Sequence, residues 1–342
     1  MASLTPRCGP AELARLLADL EVRITSLQVQ RDDVSLPDYP GGPRPSSVVH
    51  VAGNGVTGKG EHVAFYDAAH AEFAAAMHAW FESNRARTNL RVGSALGSPG
   101  TRYARSALEA ALVDLGLRQA GLSLYDLTGV RETALRFVVS LAADPEPLSA
   151  IARVRAAGFS GGLKIDVDPA WDHATLAELA SDPSIVIFDF KGKADIAFAQ
   201  RLATLNAGAW FEDPPPGFDA KMRPRLARDA TLPDASSVAI ARARGEAVNL
   251  KAPRMGGPLE VLRGLEQALA PRADSAPVVA YLGGMFEVSV GRAQARELAA
   301  LYCATGPNDL AANDAHPQLA ARADSPLLVQ LDRPGFGSSA VG

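Results

Sequence analysis

The second part of this chain alternates short apolar segments with helical segments, from about residue 137 to residue 287. The intervening segments carry apolar residues at helical spacing over about 10–15 residues, a pattern that predicts βαβ units and a parallel sheet. The predicted strands are FVVSLA, LKIDVD, SIVIFDFKG, AWFEDPPPG, TLPDAS, AVNLKAPRMGG and PVVAYLGGMFE. Seven strands, with a weaker eighth near DLAAND, favour a closed (β/α) barrel over an open doubly wound sheet.

The preceding residues have a different order, with strands first and helices after them. Short β segments occupy about 22–65, and two helical stretches follow before Gly129. A chain of 342 residues exceeds the roughly 250–300 residues of one core, which favours two domains. We therefore predict an α+β domain at 1–130, a barrel at 131–315, and a tail at 316–342 that folds back over the first domain.

Composition narrows the possible partners. The net charge is −4, the isoelectric point is near 5.9 and the arginines are scattered, which argues against a nucleic-acid surface. Cys8 and Cys303 form no CxxC pair, so neither a zinc site nor a disulfide framework is indicated. No apolar run approaches the roughly 20 residues of a membrane span, and the N-terminus lacks an apolar signal core. We expect a soluble cytoplasmic protein without nucleic-acid or membrane partners.

Acidic residues recur at the predicted strand ends, which in a parallel barrel all meet at one face. Asp189, Glu212 and Asp234 follow one another at intervals of 23 and 22 residues, about one strand–helix repeat each, and Lys251 ends the next strand. The other charged residues that this pattern brings to the same face are Lys164, Asp166 and Glu287.

Three neighbouring carboxylates repel one another unless a cation offsets their charge, and Mg²⁺ is a hard cation that takes oxygen ligands. A lysine nearby can act as a base, and a metal-held substrate carboxylate can take up charge as an enediolate when its α-proton leaves. A single acid at a strand end is more often a helix cap. Asp234 is the most cap-like of the three, and Asp229 is its possible substitute because only 17 residues separate Asp234 from Lys251.

These motifs resemble the enolase superfamily, in particular its branch of muconate-lactonising and o-succinylbenzoate-synthase-like proteins. The resemblance covers nearly the whole chain. The segments that carry it are GKGEHVAFYD, SALEAALVDLGLRQAGLSLYDLTG, WFEDP, NLKAPRMGG and MFEVSVGRAQARELAAL. The resemblance implies a modified TIM (β/α) barrel under an α+β capping domain formed by the N-terminal part and the C-terminal tail.

The resemblance also implies roles for individual residues. Asp189, Glu212 and Asp234 would hold Mg²⁺, and Lys251 would be the acid/base on the sixth strand. Glu287 would lie beside the substrate on the seventh strand. A loop of the capping domain, at 31–48 here, would close over a small-molecule carboxylate. Tyr39, Met285 and Phe286 suggest a partly apolar substrate pocket, and related proteins imply a homo-oligomer.

Two positions depart from the pattern of this branch. Lys164 and Asp166 stand where the branch usually has Lys-x-Lys, so a carboxylate replaces the second base. Lys191 stands where the family commonly has asparagine, and it shares a strand face with Asp189. Lys191 is expected to pair with Asp166 or Asp189, to bind an anionic group of the substrate, or to act as a replacement acid/base.

The expected function is Mg²⁺-dependent removal of an α-proton by a lyase of the dehydratase or o-succinylbenzoate-synthase type. In that reaction Lys251 moves the proton and Lys164 stabilises the charge. One alternative is a racemase, epimerase or cycloisomerase that uses Lys251 together with Lys191. Another is a barrel without catalytic activity that retains a binding role.

Overall fold

The structure of this chain, a computed structural model, describes residues 5–34, 43–87, 90–97, 100–206, 208–218, 225–271, 279–310 and 325–338. Its N-terminal α+β domain consists of α1 (Pro10–Ala18), β1 (Glu21–Val22), β2 (Ser26–Val34), β3 (Arg44–Gly53), β4 (Val56–His62), α2 (Asp67–Asn84), β5 (Leu90–Arg91), α3 (Val92–Ala95), α4 (Arg102–Ala120) and α5 (Leu124–Thr128). Within the predicted 31–48 loop, residues 31–34 belong to β2 and residues 44–48 to β3, and Tyr39 lies outside the described residues.

Strands β2, β3 and β4 form an antiparallel sheet, and α4 packs against its last strand. Glycine makes this close approach possible: a Cβ on Gly60 would lie 1.9 Å from the carbonyl oxygen of Ala107 in α4. The Thr101 side chain caps the first turn of α4, and the left-handed Gly121 ends the helix. The helix is buried along most of its length because it lies between this sheet and the barrel.

The remaining elements alternate as expected for a barrel. They are β6 (Glu132–Leu135), β7 (Val138–Leu141), α6 (Pro147–Ala156), β8 (Gly162–Asp166), α7 (His173–Ser181), β9 (Ile185–Asp189), α8 (Ile196–Leu205), β10 (Trp210–Glu212), β11 (Leu226–Arg228), α9 (Ala235–Ala243), β12 (Ala247–Leu250), α10 (Ala252–Met255), α11 (Pro258–Leu269), β13 (Ala280–Leu282), α12 (Val290–Tyr302) and β14 (Leu327–Gln330). Strands β7 to β13 form one parallel sheet in chain order.

Residues 308–309 close the gap between the first and last strands of this sheet. Val138 donates to the carbonyl of Asn308 at 2.9 Å, and Asp309 donates to the carbonyl of Leu282 at 2.9 Å. Both residues form parallel bridges, Asn308 to Phe137 and Asp309 to Gly283. The predicted modified barrel with an α+β domain is therefore confirmed, with a very short segment in the place of the weak eighth strand.

The fifth strand differs from its prediction. The segment TLPDAS is not a strand, because a turn ends at Leu232, whose amide donates to the carbonyl of Asp229 at 3.2 Å, and α9 begins at Ala235. The strand is instead β11, which pairs with β10 through Leu226 and Ala227 and with β12 through Ala227 and Arg228. This shift of a few residues changes which acid lies at the strand end.

The described C-terminal residues return to the N-terminal domain. Strand β14 pairs antiparallel with β6, and Leu331 accepts a hydrogen bond from Tyr125 of α5 at 2.8 Å. Phe336, which is buried, donates its amide to Asp114 of α4 at 2.8 Å. Among the described residues, no helix combines the length and apolar character that crossing a membrane requires.

Candidate metal and proton-transfer site

Three carboxylates meet at the carboxyl ends of adjacent barrel strands. Asp189 ends β9, Glu212 ends β10 and Asp229 directly follows β11. Strand register causes this convergence, since Asp189 is the partner of Glu212 on one side and of Asp166 on the other. One oxygen from each of the three acids lies within 4.8 Å of the others, and all three residues are buried. We refer to Asp189, Glu212 and Asp229 as the carboxylate triad.

Asp234 has a different role from the one that the resemblance implied. It is the N-cap of α9, where its side chain accepts the amide of Ser237 at 2.9 Å in a capping box. The structure places Asp229 instead of Asp234 with the other two acids. The sequence signal for the substitution was the short interval of 17 residues between Asp234 and Lys251, and the 22 residues between Asp229 and Lys251 match one repeat.

Lys164 lies at the centre of the carboxylate group. Its ammonium is hydrogen-bonded to Glu212 and lies 3.0 Å from Asp189 Oδ2 and 3.5 Å from Asp309 Oδ2. Burial disfavours its charged form, but the carboxylates of Glu212, Asp309 and Asp189 outweigh burial and raise the pKa of Lys164. Sequence reasoning identified Lys164 but missed Asp309, because the closing segment is too short to show a strand pattern.

The pKa values of the three triad acids shift in different directions. Burial raises the pKa of Glu212 to about 7, against the opposing effect of Lys164. Burial acts in the same direction on Asp189, but the ammonium groups of Lys164 and Lys191 hold its pKa below the usual value. For Asp229 also, Lys251 and Lys164 outweigh burial and lower the pKa.

Glu212 also has two neutral partners that the sequence analysis did not select. Tyr281 donates its hydroxyl to Glu212 Oε2 at 2.5 Å, and Asn249 donates to the same oxygen at 3.2 Å. Both residues are buried, Tyr281 on β13 and Asn249 on β12. Asn249 precedes Lys251 by two residues and therefore shares its strand face, a signal that was present in the sequence.

Lys251 follows β12 and contacts the triad through Asp229. Its Nζ lies 2.7 Å from Asp229 Oδ2, and Arg254 binds the other oxygen of the same carboxylate. Lys251 is only 7% exposed. The predicted lysine therefore lies at the triad, together with an arginine that sequence reasoning had not assigned a role.

Lys191 pairs with both of the acids considered for it. Its ammonium lies 3.0 Å from Asp166 Oδ1 and 2.7 Å from Asp189 Oδ2. The Lys191 side chain is 44% exposed, whereas that of Lys164 is 2% exposed. Lys191 has a φ of 48°, a left-handed conformation that is unfavourable for a lysine and is often found at functional sites.

The predicted seventh-strand residues follow β13. Glu287 is buried and accepts the amide of Met285 at 2.9 Å, while its carboxylate lies 3.8 Å from Arg292. Met285 is buried, with its sulfur 3.6 Å from Arg254. Phe286 is 48% exposed and has a φ of 65°. Met285 thus contacts Arg254, and Arg254 in turn binds Asp229 of the triad.

The donor set suits a hard divalent cation. Three buried carboxylates supply only oxygen ligands, and their oxygens are close enough together for one ion. Strand register fixes Asp189 beside Glu212, and hydrogen bonds from Tyr281 and Asn249 hold Glu212 in place. The triad therefore fits Mg²⁺, and Asp229 takes the place that the resemblance had given to Asp234.

Two family models match the chain along most of its length. Residues 131–316 match "Domain of unknown function (DUF8230) C-terminal domain", and residues 15–127 match "Domain of unknown function (DUF8230) N-terminal domain". Together they cover the described barrel up to residue 310 and most of the N-terminal α+β domain.

Characterised relatives match at modest identity. An N-succinylamino acid racemase from Thermus thermophilus is 29% identical over 233 residues, which are 62% of this chain and 60% of the racemase. The match therefore spans less than two thirds of that relative's length. An o-succinylbenzoate synthase from Geobacillus stearothermophilus is 26% identical over 298 residues, with 76% of this chain and 75% of the synthase covered.

Solved structures share the fold over nearly the whole chain. A putative mandelate racemase/muconate-lactonizing enzyme from Roseovarius nubinhibens, crystallised with magnesium, aligns with a TM-score of 0.69 at 23% identity, covering 92% of this chain and 96% of that one. A dipeptide epimerase from Enterococcus faecalis aligns with a TM-score of 0.68 at 20% identity, covering 85% and 90%. The chain belongs to the family described as "Domain of unknown function (DUF8230)", and its similarity to this racemase, this synthase and these structures agrees with the resemblance to the muconate-lactonising and o-succinylbenzoate-synthase-like branch of the enolase superfamily.

Proposed function

We propose that this protein removes the α-proton of a small carboxylate substrate and acts as a lyase. The observation that carries the proposal is the contact of Lys251 with the carboxylate triad, at 2.7 Å from Asp229. A proton acceptor and a cation-binding group thus lie at one end of the barrel, where barrel enzymes place their active sites. The racemase and synthase among the relatives are compatible with chemistry of this class.

In this proposal Asp189, Glu212 and Asp229 hold Mg²⁺. The bound ion would offset the negative charge that develops on the substrate carboxylate as the α-proton leaves. Tyr281 and Asn249 orient Glu212 through its second oxygen, so the acid is held in place before substrate binds.

Lys251 accepts the α-proton on Nζ as a neutral amine, the form left after the ammonium that pairs with Asp229 in the substrate-free site releases a proton to water. The resulting ammonium is stabilised by Asp229, whose oxygen lies 2.7 Å away. Lys164 supplies a buried positive charge beside Glu212 and Asp189, and this charge also favours an anionic substrate. Both lysines are nearly inaccessible to solvent, so their electrostatic effects are stronger than in water.

The lyase assignment rests on the second strand. Asp166 stands where a second lysine would give a base on the opposite face of the substrate, and its carboxylate is paired with Lys191. One base is sufficient for syn elimination, whereas racemisation needs a proton donor on the other face. The half-exposed position of Lys191 favours one alternative, a racemase or epimerase in which Lys191 supplies that second group.

The configuration of the substrate α-carbon after exchange distinguishes the lyase from the racemase or epimerase. With Mg²⁺ in deuterated water, we expect enantiopure N-succinyl amino acids to exchange their α-proton with retained configuration, because in this proposal Lys251 is the single base. Proton NMR and chiral chromatography measure exchange and configuration. Inversion that is lost in Lys191→Gln and kept in Lys193→Gln, a change to the exposed lysine two residues on, would replace the lyase assignment with the racemase alternative.

The backbone beside Lys251 provides a second test. A Cβ on Gly283 would lie 2.7 Å from Lys251 Cε and 2.4 Å from Asn249 Oδ1. Gly283→Ala is therefore expected to displace Lys251 and to lower kcat/KM by about 100-fold, the typical cost of misplacing a reacting group by about 1 Å. Gly208→Ala is the control, because a Cβ there meets no atom within 4 Å. Equal steady-state kinetics for the two variants would contradict the assigned position of Lys251.

A further inference from the structure

The segment Met285–Gly291, which we call the seventh-strand loop, lies after β13, includes the first two residues of α12 and borders the candidate site. Its residue Phe286 is half-exposed and left-handed, with a φ of 65°. A bulky residue keeps such a conformation only when its surroundings impose it. Two charged residues of the N-terminal domain supply such surroundings on either side of Phe286.

Glu61 of β4 binds the loop on the C-terminal side of Phe286. Its carboxylate accepts the amides of Val288 at 2.7 Å, Ser289 at 3.0 Å and Gly291 at 3.0 Å. It also accepts the Ser289 hydroxyl at 2.9 Å and the Ser46 hydroxyl of β3 at 3.0 Å. Glu61 is 4% exposed, so these five donors take the place of water around a buried carboxylate.

Arg44 of β3 binds the loop on the other side of Phe286. Its guanidinium is fully buried and donates to the carbonyl of Met285 at 3.2 Å. The same group donates to the carbonyls of Val63 and Ala64, which follow β4. Arg44 therefore ties the backbone before Phe286 to the chain that carries Glu61.

We propose that Glu61 and Arg44 are positioning residues through which the N-terminal domain fixes the seventh-strand loop and so sets the affinity for substrate. This inference rests on the proposed function, because it takes the loop as one wall of the substrate site. The carboxylate triad and Lys251 are held by contacts within the barrel, for example those of Lys164 and Arg254. Loosening the loop therefore changes KM more than kcat.

A matched control exists in the same domain. Glu109 of α4 is also buried, at 1% exposed, and accepts a barrel amide, that of Leu259 in the first turn of α11, at 2.7 Å. It thus reproduces the contact between a buried acid and a helix amide at a different barrel helix. Glu109→Gln measures the general cost of weakening such a contact, without a change at the seventh-strand loop.

The experiment compares Glu61→Gln with Glu109→Gln in the full chain. An amide group cannot accept from all five donors, so Glu61→Gln is expected to speed hydrogen exchange at residues 285–291 by at least about tenfold. KM for the N-succinyl amino acid that exchanges fastest is expected to rise by about tenfold, with kcat within about threefold. Glu109→Gln is expected to leave both the exchange at 285–291 and KM within about twofold.

Unchanged exchange at 285–291 in Glu61→Gln, or a fall in kcat with KM unchanged, would overturn the proposal. If Glu61→Gln does not fold, as judged by circular dichroism, Ser46→Ala decides, since it removes a single donor to Glu61. A smaller acceleration of hydrogen exchange at 285–291 with a smaller rise in KM supports the proposal. The absence of both changes in Ser46→Ala overturns it. Hydrogen exchange needs no substrate, so a wild-type protein inactive on every carboxylate would refute the proposed function and leave the loop contact separately testable.

Discussion

Asp229→Asn is expected to weaken Mg²⁺ binding by at least about 100-fold, because it removes an anionic ligand from the carboxylate triad, and even indirect partners of a metal contribute about 10–100-fold. The matched variant Asp234→Asn is expected to leave Mg²⁺ affinity unchanged, since Asp234 caps α9 and asparagine is an equally good N-cap. Isothermal titration calorimetry with MgCl₂ measures both affinities directly and needs no substrate.

The comparison of the two variants needs a folding control. Asp229 contacts Lys251 and Arg254, so circular dichroism must show that Asp229→Asn is folded before its affinity is interpreted. Loss of Mg²⁺ binding in Asp234→Asn, with binding retained in Asp229→Asn, would return the third ligand to Asp234 and contradict the site described above.

Lys251→Gln is expected to lower kcat for α-proton removal by about 10²–10⁴-fold, the usual contribution of a positioned general base. Mg²⁺ affinity is expected to persist, because the triad carboxylates remain and one positive charge beside Asp229 is lost. Steady-state kinetics together with calorimetry distinguish this result from a damaged metal site. Lys193→Gln, on the exposed surface after β9, is the charge-matched control with near wild-type kcat.

An equal kcat in Lys251→Gln and wild type would remove Lys251 from the mechanism. If no carboxylate in a broad library turned over at all, the alternative of a binding protein on an enzyme fold would be favoured. The two results are different, because the first requires an active wild-type protein.

The regular part of the site could be predicted from spacing. Asp189 and Glu212 each end a strand, and parallel strands one repeat apart bring their ends to one edge. The same reasoning identified Lys164 and Lys251, which both contact triad acids. The positions of these four residues follow from strand order alone. Strand order in turn follows from the alternation of apolar and helical segments.

The third acid was harder to predict because two acids lie five residues apart. Asp234 directly precedes a helix and Asp229 directly follows a three-residue strand, which is too short to produce a clear pattern. Spacing from Lys251 favoured Asp229, whereas the resemblance was applied to Asp234. In the structure Asp229 lies beside the other two acids, because Ala227 of β11 pairs with Glu212 of β10 and Asp229 follows that strand.

Contacts between distant segments were not accessible from sequence. Asp309 reaches Lys164 from the closing segment, and Tyr281 reaches Glu212 across the barrel interior. The contacts of Glu61 and Arg44 with the seventh-strand loop cross between domains. Each depends on tertiary packing, on which local periodicity carries no information. Tyr39 lies outside the described residues, so its substrate-binding role stays a prediction.

The most direct test of the central claim is deuterium incorporation at the α-carbon. Wild type and Lys251→Gln are each incubated with Mg²⁺ and a panel of N-succinyl amino acids and acid-sugar carboxylates in deuterated water, and proton NMR follows the α-signal. We predict that the signal of at least one carboxylate disappears with wild type and persists with Lys251→Gln. Exchange at equal rates with both proteins would contradict the assignment of Lys251 and the carboxylate triad as the proton-transfer site.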